Sequence, residues 1–410
     1  MTNIEPIAIQ HLHIDELRPD PTNPRRISDE ELEALTRSIK EFGLVDPIVA
    51  RAEDKTVIGG HQRLVAARRL GMKTVPVVLT DLSQEQARLL NLALNKVSGT
   101  WDQELLARFM ADLQQTPDVD LTLSGFTDDE IKKVLKNLNL REKRERIETF
   151  DLDAALEAAQ AAPVANTGDV WLLGDHRLLC GDCTAHASVE SLMGGVKAGM
   201  AFTDPPYNVS YGNHGGAPAK GRKRTMANDD LGDDFQDFLQ MACGNLLAFT
   251  DGTVYVCMSS SELHTLQKAF VDAGGHWSTF LIWAKDTFTL GRSDYQRQYE
   301  PMLYGWREGT KHHWNGGRDQ GDVWHIDKSH SNPLHPTMKP IELMERAIEN
   351  SSAPGDIVLD LFLGSGSTLI AAERTGRTCF GTELEPAYVD VAVKRWEAFT
   401  GEQAIREEID

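Results

Sequence analysis

The chain has 410 residues and a formal net charge of −20, with 41% hydrophobic and 25% charged residues; this composition is typical of a soluble globular protein and excludes a disordered or fibrous one. Its length predicts two domains rather than one. It has no apolar stretch long enough to span a bilayer, no signal segment at its start and only five cysteines, so the sequence predicts a cytoplasmic protein without a disulfide framework.

The first predicted elements form a small α+β unit. A strand-like segment at residues 10–15 and the run Asn23-Pro24-Arg25-Arg26 precede a helix that ends at Phe42. Ser28 stands before this helix and Glu31 follows three residues later, which is the pattern of a capping box. The helix is therefore expected to begin directly after Ser28.

Two short strands then lead to a glycine turn and an arginine-bearing helix. The turn, Gly59-Gly60-His61-Gln62-Arg63, precedes a helix predicted at Leu64–Leu70, which contains Arg68 and Arg69. With the Asn-Pro-Arg run, this order resembles the amino-terminal domain of ParB-type partition proteins, and the resemblance implies a surface that handles nucleotide and DNA. Arg63 and Arg68 are expected to contact phosphates, while a solvated basic helix face explains them equally well. His61-Gln62 replaces part of that family's usual motif, which leaves nucleotide hydrolysis open.

Three helices and a linker complete the amino-terminal part. The helices are predicted at Gln84–Lys96, Gln103–Gln114 and Asp128–Asn139, and their apolar spacing indicates packing. The charged run 141–148 mixes both signs and predicts a solvated helix end. The expected domains are residues 1–140 with the ParB-like fold and its helical extension, a partly helical linker at 141–167, and a second domain at 168–410.

Strands and helices alternate in the second domain, which predicts a mainly parallel sheet with helices on both faces. Ligands of such sheets bind beyond the carboxyl ends of the strands. The predicted strands are Val170–Leu173, Arg177–Cys180, Gly199–Thr203, Thr253–Met258, Thr279–Ala284, Met302–Trp306, Ile357–Phe362 and Cys379–Glu383. The predicted helices are Ala187–Met193, Phe235–Phe249, Ser261–Ala273, Ile341–Asn350, Thr368–Thr375 and Tyr388–Phe399.

Asp204-Pro205-Pro206-Tyr207 directly follows an apolar strand and has a side-chain set suited to a nucleobase. The carboxylate of Asp204 can accept one N–H of an exocyclic amino group, and the Pro205 carbonyl can accept the other. Both acceptors favour the positive charge that develops on the amino nitrogen when it reacts. The ring of Tyr207 can stack on a base that has left the duplex.

A glycine-rich turn lies far downstream, between a strand and a helix. Asp360 and Phe362 end the strand, and Gly364 and Gly366 let the backbone approach a ligand at the start of the helix. The turn lacks the third glycine of a dinucleotide-binding loop and the lysine of a phosphate-binding loop, so it favours a ligand without phosphates. Glu383 ends the next strand and is placed to bind ribose hydroxyls.

These two motifs together resemble the S-adenosylmethionine-dependent DNA amino-methyltransferases. The glycine turn follows the catalytic tetrad, as in the circularly permuted β group of that family. The resemblance implies a Rossmann-like methyltransferase fold, S-adenosylmethionine as cofactor, and direct transfer of a methyl group to the amino group of a flipped base.

Two further segments carry the resemblance, around Asp182 and at residues 335–340. The family pattern implies that Asp182 contacts the adenine of the cofactor and that Thr337 and Lys339 lie near its methionine end. Cys180 and Cys183 have metal-ligand spacing but no second pair, so no metal site is predicted. The implied cofactor residues are Asp182, Thr337, Lys339, Asp360, Phe362, Gly364, Gly366, Thr368 and Glu383.

Double-stranded DNA is the expected partner, although the chain is acidic. A basic loop that contains Lys220, Arg222, Lys223 and Arg224 follows the tetrad and could clamp phosphates. The region before residue 335 holds target-recognition contacts in the family, which makes Lys311 and Arg318 candidates by position only. The negative charge predicts weak, salt-sensitive binding to DNA. Formation of a homodimer is left open.

The family pattern favours N6 of adenine as the methyl acceptor, because Asp rather than Ser leads the tetrad. Cytosine N4 is the alternative within the same chemistry. A ParB-like DNA-binding regulator with a vestigial methyltransferase half is a second alternative, and modification of RNA or protein is a third.

Overall fold

The computed structural model describes residues 8–96, 100–117, 119–208, 228, 230–289, 294–327 and 339–407. The chain separates into two compact units, residues 1–142 and 143–410. The expected linker, 141–167, falls almost wholly within the second unit, and the expected domain limits stay a prediction. No helix in the described ranges is both long and apolar enough to cross a membrane.

The first unit combines a four-stranded sheet with helices. The strands of the unit are β1 (Ile9–His13), β2 (Arg25–Arg26), β3 (Ile48–Arg51), β4 (Val57–Gly59), β5 (Thr74–Thr80) and β6 (Thr100–Trp101). The helices of the unit are α1 (Asp29–Phe42), α2 (His61–Arg69), α3 (Gln84–Asn95), α4 (Gln103–Gln114) and α5 (Asp128–Glu145). The last three residues of α5 belong to the second unit. The sheet has the order β1-β5-β3-β4.

The predicted start of α1 is confirmed. The Ser28 hydroxyl accepts from the backbone N–H of Glu31 at 3.2 Å, and the Glu31 carboxylate accepts from the N–H of Ser28 at 2.8 Å. The sequence prediction omitted β5, which lies inside the sheet although Pro76 lacks the backbone donor that an inner strand normally supplies. α5 is longer than predicted and continues to Glu145.

The second unit is built on a ten-stranded sheet of order β13-β11-β12-β10-β9-β14-β15-β8-β7-β16. Its strands are β7 (Val170–Leu173), β8 (His176–Cys180), β9 (Ala198–Thr203), β10 (Thr250–Cys257), β11 (Gly275–Thr289), β12 (Arg297–Arg307), β13 (Val323–His325), β14 (Ile357–Asp360), β15 (Thr378–Glu383) and β16 (Ile405–Arg406). Its helices are α6 (Leu152–Ala161), α7 (His186–Met193), α8 (Phe235–Phe249), α9 (Leu263–Asp272), α10 (Ile341–Ser351), α11 (Ser367–Thr375) and α12 (Pro386–Thr400).

The predicted mainly parallel α/β fold is confirmed. The five strands β10, β9, β14, β15 and β8 pair in parallel, while β12 and β7 pair antiparallel with their neighbours. Every strand and helix predicted for this unit is present. The short strands β13 and β16, at the two ends of the sheet, had not been predicted.

Helices cover both faces of the large sheet. Met200 and Phe202 of β9 belong to one core cluster together with apolar residues of α10, α11 and α12. Ala201, on the opposite face of the same strand, belongs to a second cluster with residues of α7, α8 and α9. This alternation follows from the two-residue period of a strand. The catalytic candidates therefore extend from a strand that is buried on both sides.

The expectation of a solvated helix end at residues 141–148 holds for most of the run, which is exposed, but not for Lys143 and Glu148. Lys143 forms an ion pair with Glu373 of α11. Glu148 pairs with Arg395 of α12, whose side chain is fully buried. The sequence pattern could not reveal these partners because each lies more than two hundred residues away along the chain.

Candidate active site

Three carboxylates lie at one edge of the large sheet. Asp204 directly follows β9, Asp360 ends β14 and Glu383 ends β15. These strands are parallel neighbours, since Leu359 pairs with Ala201 on one side and with Phe380 on the other. The tetrad and the glycine turn, which are about 160 residues apart in sequence, are thereby brought together.

Asp360 joins the ends of β9 and β14. Its carboxylate accepts from the Thr203 hydroxyl at 2.7 Å, from the backbone N–H of Phe362 at 3.0 Å and from the Thr368 hydroxyl. Burial raises the pKa of Asp360 to about 6, although these three donors favour its charged form. The cluster fixes the start of the glycine turn directly beside the residue that precedes Asp204.

Asp204 belongs to a compact hydrogen-bonded group. Its carboxylate accepts from the Tyr207 hydroxyl at 2.8 Å and also forms an ion pair with Lys339. The Lys339 ammonium donates to the Tyr207 oxygen at 2.8 Å. The site thus holds Lys339, which the family pattern assigned to the cofactor, against the leading carboxylate of the tetrad.

The ionisation of Tyr207 and Lys339 follows from this arrangement. Burial, followed by the charge of Asp204, raises the pKa of Tyr207 well above its usual value, so the phenol keeps its proton and can donate. Burial alone would lower the pKa of Lys339, but the charge of Asp204 outweighs it and the pKa lies well above its usual value. Lys339 is therefore a buried cation.

Sequence reasoning missed two residues of this group, Glu300 and Lys285. Glu300 of β12 contacts Lys339 at 3.3 Å and Lys285 of β11 at 2.5 Å. Burial would raise the pKa of Glu300, but the charges of the two lysines lower it to about 2. Both residues could have been found because each is a charged residue in an otherwise apolar strand. A buried charge needs a partner of opposite charge.

The prolines and the residue after the tetrad shape the loop. Pro205 and Pro206 are buried. Asn208 has a left-handed backbone with a φ of 55°, a conformation that asparagine tolerates better than most residues. Its side-chain oxygen accepts from the N–H groups of Leu231 at 2.9 Å and Gly232 at 3.1 Å. Asn208, also missed from the sequence, ties the tetrad to the segment before α8.

The glycine turn has the expected backbone geometry. Gly364 and Gly366 have φ values of 55° and 85°, which favour glycine. A Cβ atom on Gly366 would lie 3.2 Å from the Cβ of Ala392, whereas one on Gly364 would meet nothing within 4 Å. Glu383 accepts from the N–H of Gly364 at 2.8 Å. The turn therefore has open space at Gly364 and a carboxylate beside it.

A buried arginine supports the turn from behind. Arg395 donates to the backbone carbonyl of Ser365 at 3.0 Å and to the Ser367 hydroxyl at 3.1 Å. Its guanidinium also pairs with both oxygens of Glu148. The charged segment before α6 thereby contacts the residue that holds the glycine turn.

Asp182 lies at the same edge of the sheet. It follows β8, whose Cys180 pairs with Glu383. Its carboxylate accepts from the N–H and the hydroxyl of Thr184, at 2.8 and 2.7 Å. Asp182 is therefore close in the fold to the expected ribose-binding carboxylate, and its contact with adenine stays a prediction.

Five predicted residues cannot be placed. Thr337 and the basic residues Lys220, Arg222, Lys223 and Arg224 lie outside the described residues.

Lys311 and Arg318 follow β12, and their expected contacts with DNA stay predictions. This strand runs antiparallel to β10. Arg307, the last residue of β12, therefore lies at the edge of the sheet opposite to the site. The backbone N–H of Asn315 donates to the carbonyl of Asn350 near the end of α10 at 2.7 Å. Sequence position before residue 335 did not reveal the direction of β12.

Arg63 and Arg68 are both occupied within the first unit. Arg63 pairs with Asp46, and Arg68 donates to the backbone carbonyl of Leu17 at 3.1 Å. His61 accepts from the backbone N–H of Asp20 at 3.2 Å, and burial lowers its pKa to about 4. These contacts account for the three side chains structurally, and the proposed phosphate contacts of the arginines stay predictions.

Three family models match successive parts of the chain. Residues 2–96 match the ParB N-terminal domain, residues 104–167 the ParB-methyltransferase HTH domain, and residues 198–394 the N6_N4 DNA methylase. The third match contains the tetrad, Lys339, the glycine turn and Glu383, that is, the groups that meet at the edge of the large sheet.

Curated relatives resemble the second unit. The chain is 28% identical over 222 residues to the type II methyltransferase M2.DpnII of Streptococcus pneumoniae, covering 48% of this chain and 82% of the relative. It is 27% identical over 225 residues to the type II methyltransferase M.HinfI of Haemophilus influenzae, covering 48% of this chain and 62% of the relative. Among solved structures, the M1.HpyAVI–SAM complex matches 53% of this chain and 98% of that chain with a TM-score of 0.40 and 22% identity.

Proposed function

We propose that this chain methylates the N6 amino group of adenine in double-stranded DNA. Through residues 198–394 it belongs to the N6/N4 DNA methylase family, and it also carries ParB N-terminal and ParB-methyltransferase HTH domains. DNA methyltransferase activity is the family's reaction, and S-adenosylmethionine is its methyl donor. Adenine as the base is our proposal. The observation that carries it is an Asp-led tetrad held by hydrogen bonds next to the glycine turn.

The glycine turn fits S-adenosylmethionine. Gly364 has a left-handed backbone and open space where a Cβ would lie, so a flat or sugar-like group can approach the main chain closely. We assign Glu383 to bind the ribose hydroxyls, Asp182 to contact the adenine and Phe362 to line the pocket. Asp360 and Thr368 bond to each other, and we assign them to holding the turn. When bound, S-adenosylmethionine supplies an electrophilic methyl group.

The chain's own residues then act on the target base. Asp204 accepts an N–H of the exocyclic amine and so favours the positive charge that develops on nitrogen. The methylated nitrogen then becomes neutral by losing one proton to solvent. The Tyr207 hydroxyl and Lys339 fix the carboxylate in place. The Pro205 carbonyl supplies the second acceptor, and the Tyr207 ring stacks on the face of the base. Positioning and this electrostatic preorganisation carry the acceleration, since no covalent intermediate is required.

Substitution of Asp204 tests the proposed chemistry. Asp204→Ala is expected to lower kcat by about 10² to 10³, because one preorganised acceptor of the developing charge is lost, while the cofactor Kd is retained within about threefold. Transfer of labelled methyl to duplex DNA measures kcat, and calorimetry measures cofactor binding. The matched control is Asp251→Ala, an exposed carboxylate at the start of β10, far along the strand from the site.

Product analysis separates the two bases. DNA methylated by the wild-type protein should yield N6-methyladenine on digestion. N4-methylcytosine instead would replace adenine in the proposal and leave the chemistry of Asp204 unchanged. A protein that binds no S-adenosylmethionine would favour the regulator with a vestigial methyltransferase half, and labelled RNA or protein in parallel reactions would identify a different acceptor.

A further inference from the structure

We propose that Glu300 and Lys285 are positioning residues that balance the charge of the catalytic group and so set the rate of methyl transfer. The inference rests on the proposed function, because it concerns the charge felt by the reacting amino nitrogen. Neither residue belongs to the tetrad or to the glycine turn, and both act through Lys339.

Glu300 bridges two lysines. Its Oε1 lies 2.5 Å from the Lys285 ammonium, and its Oε2 lies 3.3 Å from the Lys339 ammonium. The same Oε2 lies 3.5 Å from the Tyr207 oxygen, whose one proton is donated to Asp204. Each carboxylate oxygen therefore has a cation, and the second oxygen also contacts the tetrad.

Two neighbouring strands bring the bridge together. Glu300 lies opposite Trp283 in the antiparallel pair of β12 and β11, two residues from Lys285. The Lys285 ammonium also lies 4.9 Å from the centre of the Trp283 ring. The strands thus fix both ends of the ion pair, and the carboxylate of Glu300 is aimed at Lys339.

The group is shielded from water, so solvent screens the interactions between its charges only weakly. The side chains of Lys339, Lys285 and Glu300 are 9%, 11% and 23% exposed. With Asp204, the four groups comprise two cations and two carboxylates and sum to zero. The other titratable groups that face them are Tyr207 and Cys257, which are neutral because burial raises the pKa of each well above its usual value, and Asp360, whose carboxyl group interacts with Asp204 from the end of β14. Removal of the Glu300 carboxylate leaves these four groups with a net positive charge.

A net positive site opposes the reaction. The amino nitrogen that Asp204 receives becomes positive as the methyl group is added, and a cation nearby that lacks its counter-charge raises the energy of that state. Lys339 touches Asp204 directly, so its charge is close to the reacting nitrogen. Glu300 offsets that charge, and Lys285 completes the balance by pairing with Glu300.

The decisive test compares single and double substitutions in the full chain. Glu300→Gln keeps the shape of the side chain and makes the group net positive, so kcat for methyl transfer to duplex DNA is expected to fall about 10-fold to 100-fold. The cofactor Kd should stay within about threefold. Glu300→Gln combined with Lys285→Gln restores neutrality, and the double variant is expected to be several-fold faster than Glu300→Gln alone.

Rescue by a second substitution separates charge from structure. A purely structural bridge would make the double variant as slow as, or slower than, the single one, and that result would overturn the inference. A Glu300→Gln variant with wild-type kcat would overturn it too. Glu308→Gln, at an exposed residue directly after β12, is the matched control and should keep wild-type kcat.

Two further outcomes have defined meanings. If Glu300→Gln does not fold, as judged by thermal melting, Glu300→Asp is measured instead; a rate within tenfold of wild type supports the charge balance, and a larger loss overturns it. If the wild-type protein itself transfers no labelled methyl to DNA, the proposed function fails. If the inference alone fails, the wild-type protein transfers methyl to DNA, but the double variant is no faster than Glu300→Gln.

Discussion

At Glu383, burial raises the pKa of the carboxyl group to about 7, although two backbone N–H groups, from Gly364 and Glu385, donate to it. A carboxyl group with a raised pKa is protonated in the folded protein at pH 6 and largely ionised at pH 8. Ribose hydroxyls are bound best by the ionised form, which only accepts. Glu383 is therefore a residue whose protonation should control binding of the cofactor.

The expected result is that affinity for S-adenosylmethionine rises about tenfold between pH 6 and pH 8, as the ionised fraction of a group with a pKa near 7 increases. Calorimetric titration at pH 6, 7 and 8 measures the change. Glu383→Gln should bind more weakly and lose most of this pH dependence. Glu190→Gln, on the exposed side of α7, is the control and should keep the wild-type profile. A pH-independent wild-type Kd would contradict the assignment.

The residues of the tetrad and of the glycine turn could be recognised from the sequence because each motif is contiguous. Asp204 and Tyr207 are three residues apart, and Gly364 and Gly366 mark their turn through a backbone requirement that no distant residue can supply. Glu300 could not be recognised in the same way. Its function depends on Lys285 and Lys339, and their contacts arise from strand pairing and from the return of the chain to the site.

The segment from Lys143 to Glu148 connects to three helices of the second unit through ion pairs, which the sequence did not predict. Lys143 and Arg144 pair with Glu373 and Glu349, and Glu148 pairs with Arg395, which in turn holds the carbonyl of Ser365. These contacts lie within the second unit and attach the segment to α10, α11 and α12. The segment before α6 is therefore part of the framework behind the glycine turn.

Removal of Glu148 should destabilise the second unit. Glu148→Ala leaves the fully buried Arg395 without its carboxylate, and breaking a buried ion pair from one side costs about 3 kcal/mol or more. Urea unfolding followed by tryptophan fluorescence measures the change, because seven of the eight tryptophans lie in residues 143–410. Glu145→Ala, an exposed neighbour, should change the free energy of unfolding by less than about 0.5 kcal/mol. Equal effects of the two substitutions would refute the buried pair.

The limits of most elements were accessible from local patterns. The Ser28 capping box, the period of two in the buried strands and the helical apolar spacing depend on residues within a few positions of one another. The direction of β12 was not accessible in this way, because it depends on which strand it pairs with. That direction places Arg307, the last residue of β12, at the edge of the sheet opposite to Asp204.

For the whole molecule, the net charge of −20 conflicts with a polyanionic substrate. Binding must then depend on a small number of local cations that neutralise phosphates, and such binding weakens steeply as salt increases. The Kd for a duplex is expected to rise about 40-fold between 50 and 200 mM salt, as for a protein that neutralises about three phosphates.

Fluorescence anisotropy of a labelled duplex at several salt concentrations measures this slope. The Kd of the cofactor, whose expected contacts are mainly hydrogen bonds, should change less than twofold over the same range and provides the control. A duplex affinity that does not depend on salt would show that phosphate contacts are not the main source of binding.

Local sequence was sufficient to locate the Asp-Pro-Pro-Tyr tetrad, the glycine turn and the alternation of strands and helices, because each is encoded by residues that are neighbours in the chain. The folded chain alone decided that Glu300 and Lys285 join Asp204 through Lys339, that Glu148 supports the glycine turn through Arg395, and that β12 ends opposite to the site. The physical reason is that burial and charge pairing act between residues brought together by strand order and direction, and neither can be read from a short stretch of sequence.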